Sequence, residues 1–305
     1  MTKTFFSLLR MACLLLAAAN VHAEKCIGFI PSGGGDSFWR GVHSGAAEAG
    51  KVLGYEVYFR GPHEENLAAI QNTVLEMVKQ RGCKAIVISP GTADIGREVL
   101  AMAKSGIPVI YVDRNLGEQA AAGSVGTDNY KAGQLAGEAM AKNLNGKGAV
   151  LLMRMRRGWQ TTDQRENGFV EAATRKGLQV IEGGYVGGVF GEAYAKASAA
   201  MVSHKGQFQG VFAANEVSSM GVLSALREQH IAGQVAYIGF DVTDQLLDGL
   251  QNGAVAGLIV QAAHAIGYQA VEMAVAALNN RLPSKRRVMV SAFYLTRNNM
   301  DSYVP

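Results

Sequence analysis

The sequence predicts an α/β protein built from two doubly wound, largely parallel sheets. Short apolar runs rich in Val and Ile alternate with helical stretches, the connections between them are short, and the series occurs twice. A chain of 305 residues also suits two cores, since a domain takes roughly 100–200 residues.

In the first series, strands are expected at 26–31, 55–60, 84–88 and 107–112, with helices near 37–53, 64–81 and 94–105. Lys51-Val52-Leu53-Gly54 and Ser105-Gly106-Ile107-Pro108 read as helix stops, with Gly at the end and Pro opening the next strand. A second series follows Asp128: helix 129–143, strand 148–153, helix 162–176, strand 178–184, helix 191–204, strand 209–213, helix 216–229 and strands 235–240 and 254–260. The last long helix is expected at 262–280, and a strand at 288–290 follows it. No internal repeat of solenoid or propeller length occurs.

Composition narrows the functional classes. The chain has 49% hydrophobic residues and 37 Gly against 6 Pro, an ordinary globular profile rather than a disordered or collagenous one. A formal charge of +4 is too small to imply nucleic-acid binding without a localised basic stripe. Residues 1–23 carry Lys3 and Arg10, the apolar run 11–19 and Val21-His22-Ala23, the pattern of a cleavable secretory signal peptide. Without those two cations the balance is 27 − 25 = +2. The run is too short to span a bilayer, which takes about 20 residues, and the residues before Cys13 and Cys26 do not form a lipid-attachment box. An exported, soluble, monomeric protein of the periplasm is expected.

Cys26 and Cys83 each stand just before a strand, Ile27-Gly28-Phe29-Ile30 and Ala85-Ile86-Val87-Ile88. Were those strands parallel neighbours, the sulfurs would share one sheet end, and an oxidising compartment would favour a disulfide. Two buried thiols are the alternative.

Polar clusters sit at the carboxyl ends of the strands: Ser32-Gly33-Gly34-Gly35-Asp36, Ser89-Pro90-Gly91-Thr92, Asp113-Arg114-Asn115, Asn215-Glu216 and Gly239-Phe240-Asp241. Ligands of open parallel sheets bind beyond those ends. The Gly33–Gly35 turn lacks both the Walker Lys-Ser/Thr and G-x-G-x-x-G, so a nucleotide cofactor is not expected. The six His are scattered, which gives no metal site, and no G-x-S-x-G elbow or Ser-His-Asp set supports catalysis. What remains is a recognition set. Phe38, Trp39 and Phe190 offer flat apolar faces for a ring, although each also reads as core. Asp113 with Arg114, and Asp241 with Asn215, divide acceptors and donors as sugar hydroxyls require, although Asp113–Arg114 also reads as a structural ion pair.

The pieces Pro-Ser-Gly-Gly-Gly-Asp-Ser-Phe-Trp, Ile-Ser-Pro, Ile-Pro-Val-Ile-Tyr-Val-Asp-Arg, Gly-Thr-Asp-Asn-Tyr, Gln-Arg-Glu-Asn-Gly-Phe, Val-Phe-Ala-Ala-Asn-Glu and Ile-Gly-Phe-Asp follow one another in order. Together they resemble the ribose-binding-protein-like (type I) periplasmic binding proteins of ABC transporters. The resemblance implies two lobes joined by three crossovers, 24–127 plus 262–290 and 128–261 plus 291–305, with a pentose or hexose held between them. Carried over by position, it implies ligand contacts by Asp36, Phe38, Trp39, Ser89, Asp113, Arg114, Arg165, Phe190, Asn215, Asp241 and Gln261. Asp36 and Ser89 stand where the ribose binder has asparagines. The implied partner is an ABC permease, with no cofactor, metal or enzymatic activity. A sensory co-receptor signalling to a chemoreceptor or membrane kinase uses the same fold. A cytoplasmic repressor would need a DNA-binding helix where residues 1–23 read as a leader, and an exported carbohydrate enzyme is the remaining competitor.

Arg154-Met155-Arg156-Arg157-Gly158-Trp159 departs from the ribose binder, which is small and uncharged there. The run reads as a solvated turn, as a site for a sugar acid or phosphate, or as a charged lip for a membrane partner. Lys285-Arg286-Arg287 reads as an exposed loop.

Overall fold

A computed structural model describes residues 25–303 apart from 64–66, 68 and 118–120. Residues 1–23, which read as a signal peptide by sequence, lie outside the described residues.

In chain order the elements are β1 (Cys26–Ile30), α1 (Ser37–Leu53), β2 (Glu56–Phe59), α2 (Ile70–Gln80), β3 (Ala85–Ile88), α3 (Ala93–Lys104), β4 (Val109–Val112), β5 (Gly123–Thr127), α4 (Asn129–Asn143), β6 (Ala149–Arg154), α5 (Gln160–Arg175), β7 (Gln179–Tyr185), α6 (Phe190–Ser203), β8 (Gly210–Ala213), α7 (Glu216–Glu228), β9 (Ala236–Phe240), α8 (Asp244–Gln251), β10 (Gly257–Val260), α9 (Ala263–Leu278), β11 (Arg287–Val290) and β12 (Phe293–Leu295). They form two six-stranded sheets, ordered β11-β5-β4-β3-β1-β2 and β12-β10-β9-β8-β6-β7.

Two compact units result. The first takes the described residues up to Gly35, Trp39–Val125 and Ala263–Val288; the second takes Asp36–Phe38, Gly126–Ala262 and residues from Met289 on. Apart from the three-residue segment Asp36–Phe38, the chain passes between units near residues 125, 262 and 288, as the three crossovers of the type I fold require. Central strands β1, β3, β4, β8 and β10 are buried at every position. Continuous apolar runs of this kind are what helices on both faces of a parallel sheet require.

Several elements differ from expectation. β5, Gly-Ser-Val-Gly-Thr, lacks an apolar run, yet it pairs in parallel with β4. α8 is a single amphipathic stretch of 8 residues capped by Thr243, whose hydroxyl accepts the Leu246 N–H at 3.2 Å. β12 runs antiparallel to β10, so the second sheet is mixed rather than wholly parallel. The helix expected at 64–81 is described from Ile70 only.

β1 and β3 are parallel neighbours, with Ile27 opposite Ala85. That register carries Cys26 and Cys83 to one sheet end, and they form a disulfide with Cα atoms 4.4 Å apart. Closing 57 residues of chain stabilises the fold by about 4 kcal/mol on the chain-entropy account.

Candidate functional site

One backbone device occurs in both units. Asp113 follows β4 with φ 61°, and Asp241 follows β9 with φ 64°. Each amide bonds to the strand beside it, Asp113 N–H to Val125 O at 2.9 Å and Asp241 N–H to Ile259 O at 2.8 Å. Left-handed backbone at a non-glycine residue costs of order 1 kcal/mol and is best tolerated by Asp and Asn. In both sheets it sets an aspartate at the carboxyl end of a strand, the end beyond which ligands of open parallel sheets bind.

In the second unit, Asp241 anchors a buried network. Gln261, at the end of β10, donates from Nε2 to the two Asp241 carboxylate oxygens at 2.9 and 3.2 Å. Its Oε1 accepts from Arg165 Nη2 at 2.7 Å and from Thr127 Oγ1 at 2.6 Å. Arg165 also donates from Nε to Asn129 Oδ1 at 2.7 Å and from Nη1 to Ala214 O at 3.1 Å. Its guanidinium lies 4.0 Å from the centre of the Phe240 ring, a cation–π contact. Arg165, Asp241 and Gln261 are nearly inaccessible to solvent, at 4%, 7% and 7% exposure. Burial pushes the Asp241 carboxyl up to about 6; Arg165 pulls it down, Glu216 pushes it further up, and the Gln261 bonds pull down.

The position of Arg165 follows from glycine. A Cβ on Gly133 of α4 would lie 1.9 Å from Arg165 O, and one on Gly168 of α5 would lie 2.2 Å from Tyr130 O. The two helices thus meet backbone to backbone, which brings Asn129 and Arg165 within reach of one another.

Asn215 caps α7, its Oδ1 accepting the Ser218 N–H at 3.1 Å. Glu216 follows it, buried, and accepts the Ser37 N–H at 3.2 and 3.4 Å; Ser37 belongs to the short segment grouped with this unit. Phe190 opens α6 and is 45% exposed. Phe38 is buried.

In the first unit, Gln71 of α2 ties two strand ends together. It donates to Pro31 O at 2.9 Å and to Ser89 O at 2.7 Å, and its Oε1 accepts the Gly91 N–H at 2.8 Å. Ser89 is fully buried, and its Oγ has no hydrogen-bond partner within the described structure. Asp113 and Arg114 approach only to 4.0 Å, the outer limit of an ion pair. Trp39 is part of the core, whereas Asp36, in the segment grouped with the second unit, is half-buried.

Thr127, Asn129 and Gln71 are not among the residues the sequence points to, and Glu216 stands out there only as part of the Asn215-Glu216 cluster, not as a ligand contact. Thr127 and Asn129 lie within Gly-Thr-Asp-Asn-Tyr, and Glu216 ends Val-Phe-Ala-Ala-Asn-Glu, so the motifs held that signal. Gln71 carries none.

The Arg154–Trp159 run is not a patch of free cations. Arg154 makes a two-pronged bond to Glu182, at 2.7 and 2.8 Å, and reaches buried Glu166 at 3.1 Å. Arg156 lies over the Trp159 ring at 5.0 Å and Arg157 over Tyr185 at 5.4 Å. Among the described residues no group of three His, Cys, Asp or Glu could hold a metal ion, and no helix is long and apolar enough to cross a membrane.

Residues 27–282 match the family model of the periplasmic binding protein domain. The chain belongs to that family. Its curated relatives include the ribose import binding protein of Haemophilus influenzae, 24% identical over 270 residues that cover 83% of this chain and 85% of that protein. The D-apiose import binding protein of Paraburkholderia graminis is 25% identical, covering 86% and 83%. Among solved structures, a carbohydrate transporter solute-binding protein of Agrobacterium radiobacter, in complex with D-arabinose, is 30% identical with a TM-score of 0.82, covering 90% of this chain and 95% of that one. The family consists of substrate-binding proteins rather than enzymes, and these relatives are import binding proteins for ribose and D-apiose and the solute-binding protein of a carbohydrate transporter.

Buried Asp241 and Glu166 give the periplasmic binding protein a pH signature. Both carboxyls are raised, to about 6 and about 7, so the folded state binds their protons more tightly than the unfolded chain does. Their contribution is full below the unfolded carboxyl range and is lost as pH rises through 6 and 7. Thermal unfolding of the ligand-free protein should show Tm falling from about pH 5 to about pH 8; a Tm that climbs over that range would contradict the buried positions given to these groups.

Proposed function

We propose that this protein captures one neutral monosaccharide or small polyol and delivers it to the permease of an ABC importer. The observation that carries this reading is the buried Arg165–Gln261–Asp241 network, set at the strand ends of a chain in this family. Asp241 offers acceptors and Arg165 donors to the hydroxyls, while Phe190 stacks on the apolar face of the ring. Asn215 contributes through its NH₂, because Oδ1 is engaged in the cap. From the first unit we assign Trp39, Ser89, Asp113 and Arg114, and Asp36 and Phe38 join them from the short segment grouped with the second unit. The periplasm is the assigned location, supported by the family and by the leader-like residues 1–23.

Charge supports a neutral ligand over a sugar acid or phosphate. Asp241 and Glu216 both stand near Arg165, and Arg154 is engaged by two glutamates. An added anion would meet two carboxylates in poor solvent contact.

The test is thermal unfolding of residues 24–305 with D-ribose, D-arabinose, D-allose, D-fucose, D-apiose, xylitol, sugar acids and sugar phosphates. At about 100 times Kd a ligand adds about 2.7 kcal/mol, a shift of several degrees. We expect it from a neutral member only; shifts confined to acids or phosphates, or none at all, would overturn the reading. Asn215→Asp keeps the capping oxygen and loses the donor. It should leave Tm nearly unchanged while weakening the sugar at least tenfold by calorimetry, and unchanged affinity would remove Asn215 from the site.

A further inference from the structure

Residues Met155–Trp159 join β6 to α5, and two carboxylates of α5 hold that turn at both ends. Glu166 accepts the Met155 N–H at 2.8 Å through Oε1 and Arg154 Nη1 at 3.1 Å through Oε2. Asp163 accepts the Gly158 N–H at 3.0 Å. Beyond the turn, the β6–β7 pairing continues, with Val186 N–H on Arg154 O and Gly187 N–H on Met155 O at 2.7 and 2.8 Å.

Glu166 is fully buried, and nothing in the function proposed above uses it. It is the next residue after Arg165, about 100° further round the helix, so one turn of α5 carries the anchor to β6 on one side and the ligand-binding arginine on another. Any shift of α5 against β6 must therefore move Arg165 against Asn129 and Gln261. The charged groups facing Glu166 are Arg154 from β6, with Glu182 of β7 behind it, and Asp163 from its own helix. Burial pushes its carboxyl up to about 7, while the Met155 N–H and Arg154 pull it down and Asp163 pushes it up.

We propose that Glu166 is a positioning residue: by binding Met155 and Arg154 it fixes α5 in the pose from which Arg165 meets the polyol, and protonation of Glu166 loosens that pose. The role toward a polyol rests on the function proposed above. The coupling from Glu166 to Trp159 and Arg165 is independent of it and can be read without ligand.

The chain has two tryptophans, Trp39 and Trp159, so 5-fluorotryptophan labelling gives two fluorine resonances, assigned with Trp159→Phe. The Arg165 Nε–H resonance is assigned with Arg165→Lys. Titrating the ligand-free full-length mature protein from about pH 5.5 to about pH 8.5 spans the range of interest. The Trp159 signal should move with a midpoint near 7, Arg165 should show that transition beside a separate one near 6 from Asp241, and Trp39 should stay still. Glu166→Gln should flatten the Trp159 response, and Asp241→Asn should leave it intact. A flat Trp159 signal in the wild type overturns the proposal, as does a response that persists in Glu166→Gln. Should Glu166→Gln fail to fold, the wild-type titration decides by itself. Silence of the sugar panel would remove the proposed function and leave these signals unaffected; flat signals in a protein that binds sugar would remove this inference alone.

Discussion

Arg165→Met should both destabilise the protein and abolish capture of sugar. The substitution keeps most of the volume but takes the donor from Asn129 Oδ1, Ala214 O and Gln261 Oε1, three partners met at 2.7–3.1 Å. It also takes the cation from the buried Asp241 carboxylate. Removing one partner of a buried charge network costs about 3–5 kcal/mol, which for a chain of this size lowers Tm by about 10 °C. Asp241 then keeps its proton to a higher pH, because the one group pulling its carboxyl down through charge is gone. Sugar affinity should fall by more than about 100-fold, since each lost charge-assisted bond contributes about 1.5–3 kcal/mol. A Tm within about 2 °C of wild type would mean the network is not sealed from water.

Gly133→Val should be as damaging without altering a polar group. Its Cβ would stand 1.9 Å from Arg165 O and 2.7 Å from Arg165 C, backbone atoms that no rotamer change can clear. α4 and α5 must separate, Asn129 and Arg165 part, and the overpacking itself costs about 3 kcal/mol or more. Thermal unfolding and calorimetry should thus show stability and affinity lost together. Gly191→Ala is the control: nothing lies within 4 Å of the added Cβ, and in the first turn of α6 alanine is the better helix former. Equal losses in the two variants would show that close packing of α4 on α5 is not what positions Arg165.

Much of this architecture is legible in the sequence because buried parallel strands such as Ala85–Ile88 and Val109–Val112 are uninterrupted apolar runs. β5 and β12 escape for the complementary reason: Gly-Ser-Val-Gly-Thr has almost no side chain to declare a strand, and β12 has only three residues. Arg165 and Asp241 are legible through the short motifs Gln-Arg-Glu-Asn-Gly-Phe and Ile-Gly-Phe-Asp, and Gln261 only through its position in the resemblance. Their mutual bonds are not, for Arg165 finds Asn129 36 positions earlier and Gln261 96 positions later. Arg154 shows the same limit from the other side. Read beside Arg156 and Arg157 it looks like part of a basic lip, and only the fold brings Glu166 and Glu182 to its guanidinium.

The central claim is that Asp241 and its network hold a neutral sugar. Calorimetric titration of wild type and Asp241→Asn with each neutral sugar of the panel tests it most directly. Asn tolerates the left-handed backbone that Asp241 adopts at φ 64°, so the variant changes charge and hydrogen bonding rather than fold. We predict one saturable 1:1 isotherm in the wild type, weakened at least tenfold in Asp241→Asn with Tm preserved. Undiminished affinity in the variant, or no saturable heat from any neutral sugar, would contradict the account.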